Sequence, residues 1–579
     1  MLSYRKLAMR VLGRPLHTEG IDSPRPASQR AAALVLTAAM LTTLAAPAFA
    51  KTWYIENGNI TVKAGKIEGT NKVSQGETTD EKDTDTVITN RDKDTASSHT
   101  VTIEANGKND KVEVTLKDVN IEANSGPALT SKGDVTLTLK GENHLTGGNG
   151  GRYGGCGITS NGSLTITGGE NDSLTAQGGS GADGGSGSYG GDGIGSGIGS
   201  SSGLTISGGT VNAAGGSGSY GGSGIGSSSG GLTISGGTVN AAGGSGSYGG
   251  SGSGIYSRGG VTISGGTVTA NGGDGSNVSG SGITSNGGVT ISGGTVNAAG
   301  GSGSYGGNGI YSRSSLTISG GTVNAAGRDG KDGYGGGGIW SGGVTISGGT
   351  VTANGGNGGS GSYGGDGIGS IGGVAISGGT VTANGGNGGN GGDGICSSGI
   401  DLSGSLELTA KAGSPSGRAL SQNGDELDLN TIKDKLGPGA KVTATDANGK
   451  VNQVSIPRPV ELEESSSSSS SSDGGSAAPS APASPLPGLT VTDKDGQRIS
   501  YTSTQSGNTL TVCVGRFTAS FRISLAALRQ LRAEGIETIT LQTILCSTTL
   551  SVDELLAMGG EDAEAVLTHR FTDSSLTVG

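Results

Sequence analysis

One ten-residue word governs what this chain can fold into. Leu204-Thr-Ile-Ser-Gly-Gly-Thr-Val-Asn-Ala recurs with its central isoleucine at Ile206, Ile234, Ile263, Ile291, Ile318, Ile346 and Ile376, at spacings of 28, 29, 28, 27, 28 and 30 residues. A weaker copy sits at Ile166, and an inserted Gly/Ser stretch separates it from the next. A fixed period of this length marks stacked repeats, each touching only its neighbours. Within a copy the period is two. Leu204 and Ile206 alternate with Thr205, Gly208-Gly209 turns the chain, and Val211 and Ala213 alternate with Thr210 and Asn212. A Gly/Ser loop (215–222) follows, and Gly224-Ile225 opens a third short extended piece. Three short strands per repeat make one coil of a three-sided solenoid, and stacking buries the Leu/Val, Ile, Val, Ala and Ile positions as ladders.

The composition agrees with this reading. Glycine supplies 123 of 579 residues while aromatics reach only 3%, so many tight turns are available and one large aromatic core is not. No Gly-X-Y period exists, which excludes collagen. Interior glycine costs a helix about 1 kcal/mol per residue, which excludes a helical repeat. The fold class expected is all-β: a right-handed parallel β-helix of about 28 residues per coil, then a linker and a small α+β domain.

Around the repeats the chain changes character. Residues 51–150 alternate in the same way at Val101-Thr-Ile, Val112-Glu-Val-Thr-Leu, Val119-Asn-Ile and Val135-Thr-Leu-Thr-Leu, with more charge and longer insertions, as coils shielding the end of a stack should. Residues 151–455 carry the glycine-rich coils and the C-terminal end of the stack, where the word fades beyond Leu408. Residues 456–487 form a linker, with serine throughout 465–472 and then Pro479, Pro482, Pro485 and Pro487. In 488–579, Ser524 caps a helix with Leu525, Leu528 and Leu531 on one face and Gly535 after it, and Ser551-Val-Asp-Glu554 opens a second helix. Strand-like runs at 510–514, 517–523 and 536–545 surround the first helix.

Residues 1–50 read as a signal peptide. Arg5, Lys6, Arg10, Arg14, Arg25 and Arg30 precede an apolar run over 31–49, and Ala48-Phe49-Ala50 gives a small-x-small cleavage pattern before Lys51. The Ala/Thr-rich run favours cleavage over a retained span, so an extracellular or cell-surface protein without a membrane span is expected. Losing a net +4 from these residues would leave −15 in place of −11. An acidic chain with no basic stripe excludes nucleic acid as a partner. Export raises disulfides. Cys156 and Cys396 stand about eight coils apart, roughly 40 Å, and should not pair with each other. Cys513 and Cys546 fall on two strand-like runs of the terminal domain and are the candidate pair.

Enzyme, cation-binding and glycan-binding roles place different demands on such a chain. Hydrolysis of sugars needs two carboxylates at a set separation, and lyases need a base near a neutralised uronate. Residues 201–400 contain no histidine and only nine charged residues, scattered over loops of different coils, so no enzyme is expected. Asp192, Asp366 and Asp393 each precede the Gly-Ile of their coil, where Ca2+ between coils or a simple turn role would suit them. Aromatics are the sharpest signal. The loop word Gly-Ser-Tyr-Gly-Gly places Tyr189, Tyr220, Tyr248, Tyr305 and Tyr363 alike, with Tyr334 in a variant loop. A second set, Tyr256, Tyr311 and Trp340, follows the third-strand isoleucine, with Arg258 and Arg313 two residues beyond the tyrosines. Rings beside forked donors suit a sugar face and a carboxylate. Either set alternatively serves as cover for glycine-rich loops. The outward Thr/Asn ladder reads as structural, although Thr267-Val-Thr269, Thr350-Val-Thr352 and Thr380-Val-Thr382 have the spacing of ice-binding solenoids.

Several stretches also carry a family likeness. Trp53-Tyr-Ile-Glu-Asn-Gly-Asn-Ile-Thr, Val112-Glu-Val-Thr-Leu-Lys-Asp-Val-Asn-Ile and Val135-Thr-Leu-Thr-Leu-Lys-Gly-Glu-Asn resemble the N-terminal coils of a carbohydrate-binding right-handed parallel β-helix family of exported proteins in Gram-positive anaerobes. The Gly-Ser-Leu-Thr-Ile and Thr-Ile-Ser-Gly-Gly-Thr-Val units look like its later coils, and the likeness covers about 52–410. The resemblance implies a pectate-lyase-like fold without lyase activity and, in some members, acidic polysaccharide binding with calcium. It transfers no ligand residue. The reading reached is a non-catalytic, surface glycan-binding solenoid for a polysaccharide, against a structural or adhesive stalk.

Overall fold

In the computed structural model, residues 50–457 and 488–578 are described, apart from 108, 183–186, 197–202, 248–249, 494–496, 500, 507, 515–517, 544–546, 559–562 and 570–573. The expected signal peptide up to Phe49, nearly all of the expected linker, Tyr248 and Cys546 therefore lie outside the described residues. Two units divide the chain, Met1–Glu461 and Leu462–Gly579.

The first unit is a parallel β-helix of about 14 turns with three strands per coil. First strands stack in register, Leu204–Ile206 on Leu232–Ile234 and that on Val261–Ile263. Second strands do the same, Thr210–Ala214 on Thr238–Ala242 and Thr267–Asn271. Third strands follow, Ile225–Ser227 on Ile255–Ser257 and Ile283–Ser285. Register follows from the alternation: a slip of one residue would turn every isoleucine outward. Ile206, Ile234, Ile263 and Ile291 are each 0% exposed, while the threonines between them face out. Burying such a side chain contributes about 1.5–3 kcal/mol, and each coil adds several to one continuous core. Gly260 and Gly288 bend the chain between third and first strands at φ of 109° and 100°. Where Ser314-Ser315 replace that glycine pair, the two strands run on as one, Ile310–Ile318.

The loops are more ordered than their composition announces. Each folds into two glycine arms whose amides bond alternately along the stack. Gly216 N donates to Gly191 O (2.7 Å), Gly222 N to Gly216 O (2.9 Å), Gly244 N to Gly222 O (2.7 Å), and Gly252 N to Gly244 O (3.0 Å). The zigzag continues through Gly273, Gly280, Gly301, Gly307, Arg328, Gly336 and Gly356, with Arg328 holding a rung that is glycine in the neighbouring coils. A Cβ on Gly244 would overlap the carbonyl oxygen of Gly216, so a side chain at this rung requires the two backbones to shift apart.

Both ends of the stack are covered. A hairpin of Asn71–Gln75 and Thr78–Asp83 lies antiparallel on Ile60–Ala64 at the N-terminal end. There the buried Asp83 accepts the Trp53 indole N–H at 2.7 Å. At the other end the parallel pairing continues past the fading word to Lys441–Thr445, which Val451–Ser455 then caps antiparallel. Such caps occupy strand edges that would otherwise template association.

The second unit is α+β, as expected, with two four-stranded sheets and helices Leu525–Ala533 and Val552–Met558. Ser524 caps the first helix by accepting the Ala527 N–H at 3.2 Å, and Leu525 and Leu528 are buried beneath it. Cys513 donates to Gln542 Oε1 at 3.4 Å, and its expected partner Cys546 lies outside the described residues. Among the described residues, no helix is long and apolar enough to cross a membrane.

Candidate functional site

The outward position of the third strand is one ladder: Gly226, Tyr256, Thr284, Tyr311, Trp340, Gly369, Cys396 and Ser421. The inward isoleucine before each rung fixes this direction, so Tyr256, Tyr311 and Trp340 share a face and are half-buried. Tyr311 and Trp340 are adjacent rungs, and Tyr256 is two rungs earlier. Arg258 and Arg313 project beside them, exposed. Arg258 Nε donates to the Tyr256 hydroxyl at 3.2 Å, which fixes ring and guanidinium together and raises the arginine pKa. Trp340 leans over Gly369, where a methyl group would strike the indole at Cε3 and Cζ3. One side of its ring is thereby seated on backbone. A shallow groove of about 490 Å³ runs along the first strands of the same region, lined among others by Gly343, Thr345, Ala375 and Asp401.

The loop tyrosines divide into two groups. Tyr153, Tyr189 and Tyr220 stack nearly face to face, at centroid distances of 5.4 and 4.8 Å. Tyr189 lies between the other two rings, so both of its faces are spent, and Arg152 lies over Tyr153 at 5.4 Å. Tyr305, Tyr334 and Tyr363 meet edge to face at 5.8 and 5.6 Å, an arrangement that leaves ring faces open. In the outward second-strand ladder, Asn240 Nδ2 donates to Asn212 Oδ1 (2.8 Å) and Asn324 Nδ2 to Asn297 Oδ1 (2.8 Å). The adjacent Thr350-Val-Thr352 and Thr380-Val-Thr382 pair directly, but Thr269 faces Asn297, so the threonine array is interrupted.

The aspartates have scaffold work. Asp192 Oδ1 accepts Ser223 N–H (2.6 Å), Asp366 Oδ1 accepts Asp393 N–H (2.8 Å), and Asp393 Oδ1 accepts Arg418 N–H (2.7 Å), each from the following coil. Asn308 does the same for Gly337 N–H at 2.7 Å. Only Asp366 and Asp393 come together; Asp192 instead lies near the free thiol of Cys156. Sequence reasoning did not bring in Cys396. Aligning the coils would have placed it on the strand that Asp393 opens, beside Asp366 of the preceding coil.

Protein crowds these groups. Burial pushes the Asp192 carboxyl up to about 6, against the pull of the Ser223 amide. Burial, then the Asp192 charge, pushes the Cys156 thiol up to about 11. Burial and the neighbouring Asp393 push Asp366 up to about 7, and burial with both aspartates pushes Cys396 up to about 12. A carboxyl whose pKa is raised on folding favours the protonated folded state. Its contribution is present below the unfolded value of about 3.9 and is lost as pH rises through about 6. The parent should therefore lose melting temperature relative to Asp192→Asn between pH 4 and 7. Parallel pH profiles for the two proteins would refute the enclosed carboxyl.

Comparison with family models, with curated proteins and with solved structures finds no match for this chain.

Proposed function

We propose that the solenoid is a non-catalytic glycan-binding module displayed outside the cell, the role implied by the family resemblance, and that it meets a polysaccharide on the third-strand face. The observation that carries this reading is the alignment of Tyr256, Tyr311 and Trp340 on one ladder beside Arg258 and Arg313. Three coil steps separate the outer rings, roughly 15 Å, which suits an oligosaccharide stretch rather than one sugar. Ring stacking and guanidinium contacts each contribute about 1–2 kcal/mol in such sites. Exposed edge-to-face tyrosines at 305, 334 and 363 add a second aromatic surface on the same coils.

The test is a glycan array with the full chain, followed by affinity measurements on the best ligand. Trp340→Ala should weaken binding about tenfold or more, the equivalent of about 1.4 kcal/mol, with the melting curve nearly unchanged. Arg313→Ala should weaken binding of uronate-rich polymers more than neutral ones. New reducing ends or unsaturated sugars would overturn the non-catalytic part. If neither variant changes binding to any glycan, the structural stalk takes precedence. That second reading draws on Tyr153, Tyr189 and Tyr220, whose rings pack on one another as cover.

A further inference from the structure

The far end of the third-strand ladder gathers donor atoms that the scaffold does not use up. Asp366 and Asp393 stand on successive coils, and each commits one carboxylate oxygen to a backbone amide. One carboxylate oxygen from each and the Cys396 sulfur lie within 4.8 Å of one another. Ser421 is the next rung after Cys396 and is 1% exposed. Its hydroxyl lies close to the Cys396 thiol, yet it has no hydrogen-bond partner. A buried hydroxyl left unpaired is costly, so the site stands one interaction short.

We propose that Asp366, Asp393, Cys396 and Ser421 form a binding site for a thiophilic divalent cation of the zinc class. Four donors, two carboxylates, a thiolate and a hydroxyl, match the coordination number and ligand types that zinc takes at about 2.0–2.3 Å. Small side-chain rotations bring donors 4.8 Å apart into that range. Calcium prefers six to eight oxygen ligands and has no use for sulfur, so the thiol redirects the site away from the cation that the aspartates alone suggest. On binding, the Cys396 S–H proton leaves to solvent as the sulfur–metal bond forms, and any proton on Asp366 leaves with it. Two carboxylates and a thiolate carry −3, which a divalent cation reduces to −1. Because protons compete with the cation for the same donors, binding strengthens as pH rises. Cys156 is the internal control, because Asp192 is the one carboxylate found beside it among the described residues.

The experiment is a Cd2+ titration of the reduced, chelator-treated full chain, read by thiolate-to-cadmium charge transfer in the ultraviolet. One equivalent should saturate the band, Zn2+ should compete, and a thousandfold excess of Ca2+ should not. Cys396→Ser should abolish the band, Asp393→Asn should weaken binding at least tenfold, and Cys156→Ser should leave both unchanged. Alkylation of the unmutated chain guards against misfolded variants: Zn2+ should slow labelling of Cys396 at least tenfold and leave Cys513 unaffected. A band that survives Cys396→Ser, competition by Ca2+ equal to that by Zn2+, or labelling of Cys396 indifferent to Zn2+ would each overturn the site.

Discussion

Ile291→Asp should destroy the cooperative melt of the solenoid, whereas Thr290→Asp, one residue away, should shift it by less than about 1 kcal/mol. Ile291 is 0% exposed and stacks in register between Ile263 and Ile318. An aspartate there would sit in a dry interior with no partner, at a cost of several kcal/mol. Because the ladder is continuous, the damage should spread to neighbouring coils rather than stay within one. Thr290 points outward, where a carboxylate remains hydrated. Circular dichroism melts of the two variants decide the matter. Equal damage would mean that the inner and outer faces have been exchanged.

The second large effect concerns a residue with no side chain. Gly273→Val should destabilise the solenoid by about 1–3 kcal/mol, the usual range of overpacking penalties. A Cβ at this position would overlap the carbonyl oxygen of Gly244. That carbonyl has little room to retreat, because it already accepts the Gly252 N–H at 3.0 Å, while Gly273 N is tied to Gly252 O at 2.8 Å. Gly343 is the contrast. Nothing lies within 4 Å of its added Cβ and its φ is ordinary, so Gly343→Ala should be neutral or stabilise by about 0.4–1 kcal/mol. If both substitutions melt alike, the glycine arms are loose loops after all.

The contrast between Ile291 and Gly273 also marks the limit of what the sequence made legible. Inward and outward positions could be read because an isoleucine and a threonine declare their preferred side, and the period of two then places every rung. The coil length, three strands per coil and the α+β terminal unit follow from such declarations, whereas the antiparallel strands that close the two ends do not. The loop at 215–222 could be read only as a loop. Its order rests on backbone amides bonding to the next coil, and a glycine carries no mark of which neighbour it meets. The aromatic positions were readable by alignment, which put Tyr256, Tyr311 and Trp340 on one ladder. Ring orientation was not, so the spent faces of Tyr189 and the seat of Trp340 on Gly369 emerged only in three dimensions. The aspartates were visible as residues before Gly-Ile. That Asp366 and Asp393 reach Cys396, while Asp192 reaches Cys156, depends on which coil follows which.

Over the glycine-rich coils, most copies present to the next closely similar strands and the same pattern of backbone bonds. Removing or duplicating one whole copy would therefore rejoin like with like, and neither cap would register the change. Reach then becomes a matter of copy number, adjustable in increments of about 4.8 Å without inventing a new interface. A molecule assembled in this way can be lengthened or shortened by slippage among near-identical repeats. Its span is thus the trait most open to rapid change, and its ends the least.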